Sequence, residues 1–190
     1  LLMAIALNGL PSSYGLLSNG DFSSGLTGWK TEGSVTSSDE VASLSEGASA
    51  PVLYQPVSVT GYVYELRFDV DLSGLSSDAG SGQLDTVQVL FYVGMDAGSL
   101  TPDGAADEAL LIEADASGLL LVAESAQVVP NLALGAGWYS AVVEVTSDFE
   151  AIAPAARILD GHSSADASTG IVNVLLRALE RGLFVVTLSD

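Results

Sequence analysis

The sequence contains no cysteine and a single histidine, and both scarcities exclude kinds of site. Without cysteine there is no disulfide framework, no thiol nucleophile and no thiolate metal site. With His162 as the one imidazole, multi-histidine zinc and non-haem iron sites are excluded, and a Ser-His-Asp triad has one possible base. The local grouping Asp160-Gly161-His162-Ser163-Ser164 lacks a Gly-x-Ser-x-Gly elbow, so a serine-flanked loop histidine is the simpler interpretation. We therefore expect a protein without enzymatic activity.

Basic residues are also scarce. Five Lys and Arg stand against 24 Asp and Glu, which gives a formal net charge of −19 over 190 residues. The five cations are scattered from Lys30 to Arg181, so they form no cluster that could hold a nucleic-acid backbone or an anionic membrane surface. Because 48% of the residues are hydrophobic and 15% are charged, the chain is not an acidic disordered tail. These numbers predict a folded, anionic domain with a sizeable core.

Short β-branched and aromatic segments, separated by turn residues, run through the chain. Between residues 62 and 72 the apolar Tyr64, Leu66, Phe68 and Val70 alternate with polar residues, which predicts a half-buried strand. Further strands are predicted over 52–59, 86–95, 110–114, 119–123, 138–145 and 171–179, the last in a hairpin with 183–188. No long amphipathic helix is apparent. The pattern predicts an all-β, antiparallel β-sandwich or jelly roll.

Two acidic features could bind cations. Asp96, Asp103 and Asp107 share one glycine-containing loop, which could supply part of the six to eight oxygens that Ca²⁺ requires. The spacing is not that of an EF-hand, and a solvated loop is the alternative. Asp69 and Asp71 lie two apart on one face of the predicted strand, where mutual repulsion favours either a bound cation or plain solvent exposure.

Residues 1–15 differ from the remainder of the chain and are predicted to form an apolar N-terminal arm ahead of a sandwich domain at 16–190. Seven apolar residues are too few to span a bilayer. The arm is either the remnant of a secretory signal or a strand donated to a neighbour. Its candidate assembly residues are Leu1, Leu2, Met3, Ile5 and Leu7.

A family resemblance is carried by residues between 16 and 72. The matching motifs are Leu17-Ser18-Asn19-Gly20-Asp21-Phe22, Gly25-Leu26-Thr27-Gly28-Trp29, Leu53-Tyr54-Gln55-Pro56-Val57 and Gly61-Tyr62-Val63-Tyr64-Glu65-Leu66-Arg67-Phe68. This pattern resembles the opening of jelly-roll carbohydrate-binding modules of the galactose-binding-like superfamily. The resemblance implies a β-sandwich that recognises a polysaccharide. It also implies a structural calcium site, although Ser23 stands where such modules carry a carboxylate and Asp21 would have to substitute.

Sugar-binding faces need aromatic rings, and aromatic residues make up 7% of this chain. Trp29 and Trp138 both follow a glycine at a strand start and are expected in the core. Tyr54, Tyr62, Tyr92 and Tyr139 are the candidate ligand-binding residues, with core or edge packing as the alternative for each.

Two functions without catalysis follow. The first is an extracellular structural subunit that self-assembles head-to-tail into a filament, tube or sheath, with the N-terminal strand inserted in the next subunit and calcium as a candidate stabilising ion. The alternative is a secreted carbohydrate-binding module that recognises a polysaccharide. Both place the protein outside the cell or on its surface, and neither involves nucleic acid or membrane insertion.

Overall fold

The computed structural model describes residues 15–45, 49–59, 63–75, 85–146, 150–159 and 171–181. These residues form thirteen β-strands and a 3-10 turn at Pro102–Gly104, and they include no α-helix. The strands in chain order are β1 (Lys30–Glu32), β2 (Ser34–Ser38), β3 (Val41–Ser45), β4 (Val52–Tyr54), β5 (Val57–Ser58), β6 (Val63–Asp71), β7 (Thr86–Gly94), β8 (Asp107–Asp115), β9 (Gly118–Val122), β10 (Ala126–Pro130), β11 (Trp138–Thr146), β12 (Ala151–Leu159) and β13 (Ile171–Arg181).

The strands are arranged in two antiparallel sheets. The first sheet has the order β1-β4-β12-β7-β8-β9, with β5 also paired to β12, and the second has the order β10-β11-β6-β13-β3-β2. One hydrophobic core lies between them. The predicted all-β sandwich of jelly-roll type is confirmed.

The alternation predicted for β6 is confirmed by burial. Tyr64, Leu66, Phe68 and Val70 are at most 3% exposed and belong to the core between the sheets. Successive side chains of a strand point to opposite faces, so the polar residues of β6 stand on the outer face of the second sheet.

A second apolar cluster covers the outer face of the first sheet. The segment 95–106 folds back over β7 and β12, and its Leu100 is 2% exposed among Leu90, Tyr92 and Ala153. Alanine on alternate positions of β12 leaves room for the large rings beside it. The first sheet is therefore packed on both of its faces in this region.

The predicted strand 52–59 is interrupted, and Pro154 on β12 explains why. The amide of Gln55 donates to the carbonyl of Pro154 (3.2 Å), but proline has no N–H to return a bond. β12 consequently pairs with β4 on one side of Pro154 and with β5 on the other. The strand that carries Pro154 lies inside its sheet and was not predicted from the sequence.

The resembling motif forms a hydrogen-bonded cap that packs on the core. Asn19 adopts φ 53°, its Nδ2 donates to the carbonyl of Gly25 (2.7 Å), and its own carbonyl accepts from Trp29 Nε1 (3.0 Å). Trp29 is 8% exposed and packs on Phe22, with ring centroids 5.2 Å apart. The core position expected for Trp29 is confirmed.

A side-chain amide joins this cap to the first sheet. Gln55 Oε1 accepts from the Ser18 backbone N–H (2.7 Å), and Gln55 Nε2 donates to the Ser18 carbonyl (3.0 Å). Asparagine and glutamine side chains carry the same donor and acceptor as a peptide group, so Gln55 continues the hydrogen bonding where β4 ends.

The last predicted hairpin is described in part. β13 is a strand, as predicted, and it lies between β6 and β3 rather than at an edge. The predicted partner strand at 183–188 lies outside the described residues.

Candidate functional site

Five residues form one row across the outer face of the second sheet. Cross-strand pairing aligns Trp138 of β11, Asp71 of β6, Asn173 of β13, Ser43 of β3 and Thr36 of β2. We call these five residues the polar row. Four of its members are polar, and the tryptophan at its end is partly exposed and partly packed on the core.

Hydrogen bonds hold the centre of the polar row in place. Ser43 Oγ donates to Asn173 Oδ1 (2.7 Å), and Asn173 Nδ2 donates to Asp71 Oδ2 (3.3 Å). The other oxygen of Asp71 accepts from the backbone N–H and the hydroxyl of Ser73, at 3.0 and 2.6 Å. The row therefore presents amide, hydroxyl and carboxylate groups in fixed positions.

Asp69 is buried beside the row and is neutralised from within the chain. It is 2% exposed, it accepts from Ser140 and from Asn131 (3.1 Å), and its second oxygen pairs with Arg177 Nε. Arg177 therefore offsets the charge of Asp69. Of the two alternatives for this pair, plain solvent exposure is wrong, because Asp71 is also only 9% exposed, and a bound metal cation stays a prediction.

Arg177 extends the row with a donor. The pairing of β13 with β6 shifts register between Leu175 and Ala178, and Arg177 lies within this irregularity. Bulges re-aim side chains, and here Arg177 stands on the outer face with 48% of its side chain exposed. Asp69 holds the guanidinium through Nε, and about half of the Arg177 side chain stays exposed.

The two predicted ligand tyrosines on the first sheet have a different setting. Tyr54 and Tyr92 are 5% and 0% exposed and meet edge to face, with centroids 6.3 Å apart, in the cluster under segment 95–106. Burial raises the pKa of both phenols, and Glu32 adds to the effect at Tyr54. Neither ring offers a free face for a sugar in this arrangement, because packing of the first sheet occupies it.

Arg157 closes the rim of that cluster. It binds both carboxylate oxygens of Glu108 (2.7 and 3.0 Å), the Tyr92 hydroxyl (3.2 Å) and Gln88 Oε1 (2.8 Å). Burial lowers the pKa of Arg157, but these bonds outweigh it and the net pKa is raised. With its donors engaged, Arg157 is a structural element of the first sheet.

The other predicted aromatic and apolar residues are placed as follows. Tyr139 is partly buried and packs against the core, as does Trp138. A ligand role for Tyr139 stays a prediction. The remaining candidates lie outside the described residues: Tyr62 and the arm residues Leu1, Leu2, Met3, Ile5 and Leu7.

The four predicted metal ligands do not meet in one place. Asp21 accepts from Ser23, and Asp96 accepts from Gly98 and Ser99, and the backbone N–H bonds in each turn lower the pKa of the aspartate. Asp103 lies in the 3-10 turn and Asp107 begins β8. Across the described ranges no three acidic or histidine side chains are grouped to hold a metal ion. Calcium binding stays a prediction.

Comparison with known proteins supports the fold. No protein-family model matches the chain, and no curated protein sequence does. Among solved structures, TmCBM61 in complex with β-1,4-galactotriose superposes with a TM-score of 0.50 at 13% identity, covering 88% of this chain and 99% of that one. The K3 cleaved adhesin domain of Lys-gingipain from Porphyromonas gingivalis gives 0.50 at 16% identity, covering 84% and 96%.

A third similar structure is an enzymatically active tailspike domain. Bacteriophage CBA120 tailspike protein 4 gives a TM-score of 0.52 at 12% identity, and the match covers 88% of this chain but 21% of that one. In the described part of the chain no helix is long and apolar enough to cross a membrane. At these identities the likeness concerns the fold alone, a jelly-roll β-sandwich similar to that of TmCBM61, as the motifs at residues 16–72 predicted.

Proposed function

We propose that this protein is a secreted or surface-exposed binding domain without catalytic activity, and that its second sheet recognises an uncharged polysaccharide. The observation that carries the proposal is the polar row with Arg177 at its side. Two of the similar structures are a module bound to a galactose oligosaccharide and an adhesin domain, and these support binding as the general role.

The chemistry of the row suits sugar hydroxyls. Each hydroxyl both donates and accepts, and the row offers the hydroxyls of Ser43 and the exposed Thr36 beside the amide of Asn173 and the guanidinium of Arg177. Charge-assisted hydrogen bonds of this kind are the stronger ones. Trp138 at the end of the row adds an amphipathic ring, of the type enriched where one side is apolar and the other wet.

The charge of the chain restricts the ligand. A net charge of −19 repels polyanions over the whole surface. Arg177 is already balanced by Asp69, so it donates hydrogen bonds without creating a net positive site. An uncharged polysaccharide fits this surface better than a sulfated or uronic one.

The same contacts favour binding over hydrolysis. Glycoside hydrolysis needs one carboxyl that can act as an acid and a second that is accessible to the sugar or to water. Asp69 is sealed at 2% exposure and bonded to three side chains, and Asp71 holds three donors. Both carboxylates are therefore committed to positioning neighbouring groups.

The proposal is tested by titrating uncharged and acidic polysaccharides against the purified chain by affinity electrophoresis and calorimetry. Losing a hydrogen bond to a charged group costs about 1.5–3 kcal/mol, so Arg177→Ala is expected to weaken binding at least about tenfold. Asn173→Ala and Trp138→Ala are expected to weaken it as well.

Arg67→Ala is the matched control, because Arg67 lies on the same face, paired with Glu65 (2.6 Å) and 55% exposed. This variant should bind as the unmodified chain does. Equal affinity for all four variants, or binding confined to acidic polysaccharides, would overturn the proposal.

A further inference from the structure

We propose that one edge of the sandwich is an interface for a second copy of this chain, which adds its own β9 strand antiparallel to β9. This interface is separate from the polar row proposed to bind a polysaccharide. It would allow two copies of the chain to associate. Its parts are the two edge strands β9 and β10, the turn that follows β10, and the adjoining outer face of β11. We call it the apolar edge.

Exposed apolar side chains are concentrated at the apolar edge. Each is more than a third exposed, and Leu132 reaches 87%. The members are Leu119, Leu120, Leu121, Val122, Val129, Leu132, Leu134 and Val142. The described ranges contain twelve exposed large apolar residues, and eight of them lie at the apolar edge. Exposed apolar side chains are therefore concentrated on this side of the sandwich.

Within the part of the chain that the structure describes, the backbone at the apolar edge is open for pairing. β9 ends the first sheet with β8 as its neighbour, β10 ends the second sheet with β11 as its neighbour, and β9 and β10 contact each other. No strand among the described residues pairs with the outer side of either. An unprotected apolar edge strand is a template for another strand, and proteins usually protect such edges with charge or proline. β9 has neither, since its sequence is Gly-Leu-Leu-Leu-Val.

Charge explains why a second copy fits here. From residue 116 to residue 143 the sequence carries a single charged side chain, Glu124, whereas the chain as a whole carries −19. Two copies repel each other over most of their surfaces. The apolar edge is the long stretch where like-charged copies can approach closely, and desolvation of leucine and valine then favours contact.

The size of the patch is adequate for a dimer. A stable interface buries about 800 Å² on each partner. Eight side chains that are each more than a third exposed provide apolar area of that order, and contiguous apolar patches above a few hundred Å² mark interaction sites. Antiparallel pairing of β9 with β9 is self-complementary, so it gives a closed two-fold dimer.

Sedimentation velocity over a range of protein concentrations tests the proposal with four chains. The unmodified chain is expected to dimerise in a concentration-dependent manner, more strongly at 0.5 M NaCl because salt screens the repulsion. Leu120→Lys should weaken dimerisation at least about tenfold, even though the added positive charge reduces repulsion between copies. Met95→Lys is the matched control, since Met95 is 63% exposed outside the apolar edge, and it should dimerise normally.

A chain lacking residues 1–14 tests whether the strand that pairs with β9 is the β9 of a second copy or the apolar N-terminal segment. It should dimerise like the unmodified chain if β9 pairs with β9. Loss of dimerisation in this chain would overturn the proposal and assign the edge to the apolar N-terminal segment instead. A monomer at all concentrations, or equal effects of the two lysine variants, would overturn it too.

Hydrogen exchange gives a measurement that is independent of any variant. The amides of residues 118–122 should become more protected as the concentration of the unmodified chain rises, while those of β1 should not. Protection that does not depend on concentration would contradict pairing between copies.

Discussion

Arg177 Nε donates a hydrogen bond to Oδ2 of Asp69, which joins two strands across a separation of 108 residues. The two partners differ in environment, since Asp69 is 2% and Arg177 48% exposed. Removing the buried partner leaves Ser140 without this acceptor and Asn131 with the Ser140 hydroxyl alone (2.7 Å), whereas removing the exposed partner leaves Asp69 with two neutral donors.

Asp69→Ala is therefore expected to lower the free energy of unfolding by about 2–4 kcal/mol, because it removes the acceptor that the side chains of Ser140, Asn131 and Arg177 share. Arg177→Ala is expected to cost less, about 1–2 kcal/mol, since solvent screens a half-exposed guanidinium. Urea unfolding of both variants measures the order. Arg67→Ala, which breaks a surface pair with Glu65, serves as the control, and a loss at Asp69 no larger than this control would contradict the prediction.

Gly20→Ala tests the contact between the N-terminal cap and the second sheet. A Cβ on Gly20 would lie 2.5 Å from the Arg177 carbonyl oxygen and 2.6 Å from that of Leu176. Backbone must move to admit it, so we expect a loss of about 1–3 kcal/mol in unfolding free energy, as for other overpacked positions. Gly15→Ala is the control because its nearest atom would be 3.9 Å away. Thermal unfolding should separate the two variants, and similar melting temperatures would refute this contact.

Asn19 combines a left-handed backbone with three side-chain hydrogen bonds, and substitution can separate these contributions. Asn19→Gly keeps access to φ 53° but loses the bonds to Gly25, Ser24 and Thr27. We expect it to cost about 1–2 kcal/mol for these partly exposed bonds. Asn19→Ala loses the bonds and adds roughly 1 kcal/mol of backbone strain. Chemical unfolding of both proteins checks the order, and a glycine variant as stable as the parent would show that the side-chain bonds contribute nothing.

Stability at alkaline pH depends on the buried tyrosines of the first sheet. Burial raises the pKa of Tyr54 and Tyr92 above the ordinary value of 10.0, so the folded state disfavours the phenolate. The protonated phenols stabilise the folded state fully below pH 10.0. This stabilisation is lost as the pH rises through the higher folded-state pKa of each tyrosine. The free energy of unfolding should fall above about pH 10. Combined Tyr54→Phe and Tyr92→Phe substitution should reduce this fall, and an undiminished fall in the double variant would contradict the prediction. Circular dichroism at several pH values measures it.

The sandwich could be predicted from the sequence where the apolar pattern is strong. β6, β7 and β11 alternate or carry β-branched and aromatic runs, and their predicted bounds agree with the structure within two residues. β2 and β3 were missed because serine fills five of their ten positions, and small buried residues such as Ala42 give little contrast with exposed ones. β12 was missed because proline and four alanines do not resemble a central strand.

The candidate site was predictable to a smaller extent. Alternation placed Asp69 and Asp71 on one face, but their partners lie on β11 and β13 and in the turn after β10. Pairing between residues so far apart in the sequence depends on the order of the strands in the sheet, and the local sequence pattern does not contain that order. Arg177 reaches the face through a register shift, and no local motif marks that irregularity.

Pro154 has a consequence for how the central strand of the first sheet finds its place. A two-residue slip of β12 would keep every side chain on its present face, so burial alone would not prevent it. After such a slip, the Pro154 nitrogen, which carries no proton, would lie opposite β4 or β5, where the ladder needs a donor. The break between β4 and β5 at Gln55 would then lie opposite another residue of β12, whose N–H would have no acceptor there. Pro154 and the interruption opposite it are therefore compatible in one register only. Together they fix the register in which β12 pairs with its neighbouring strands.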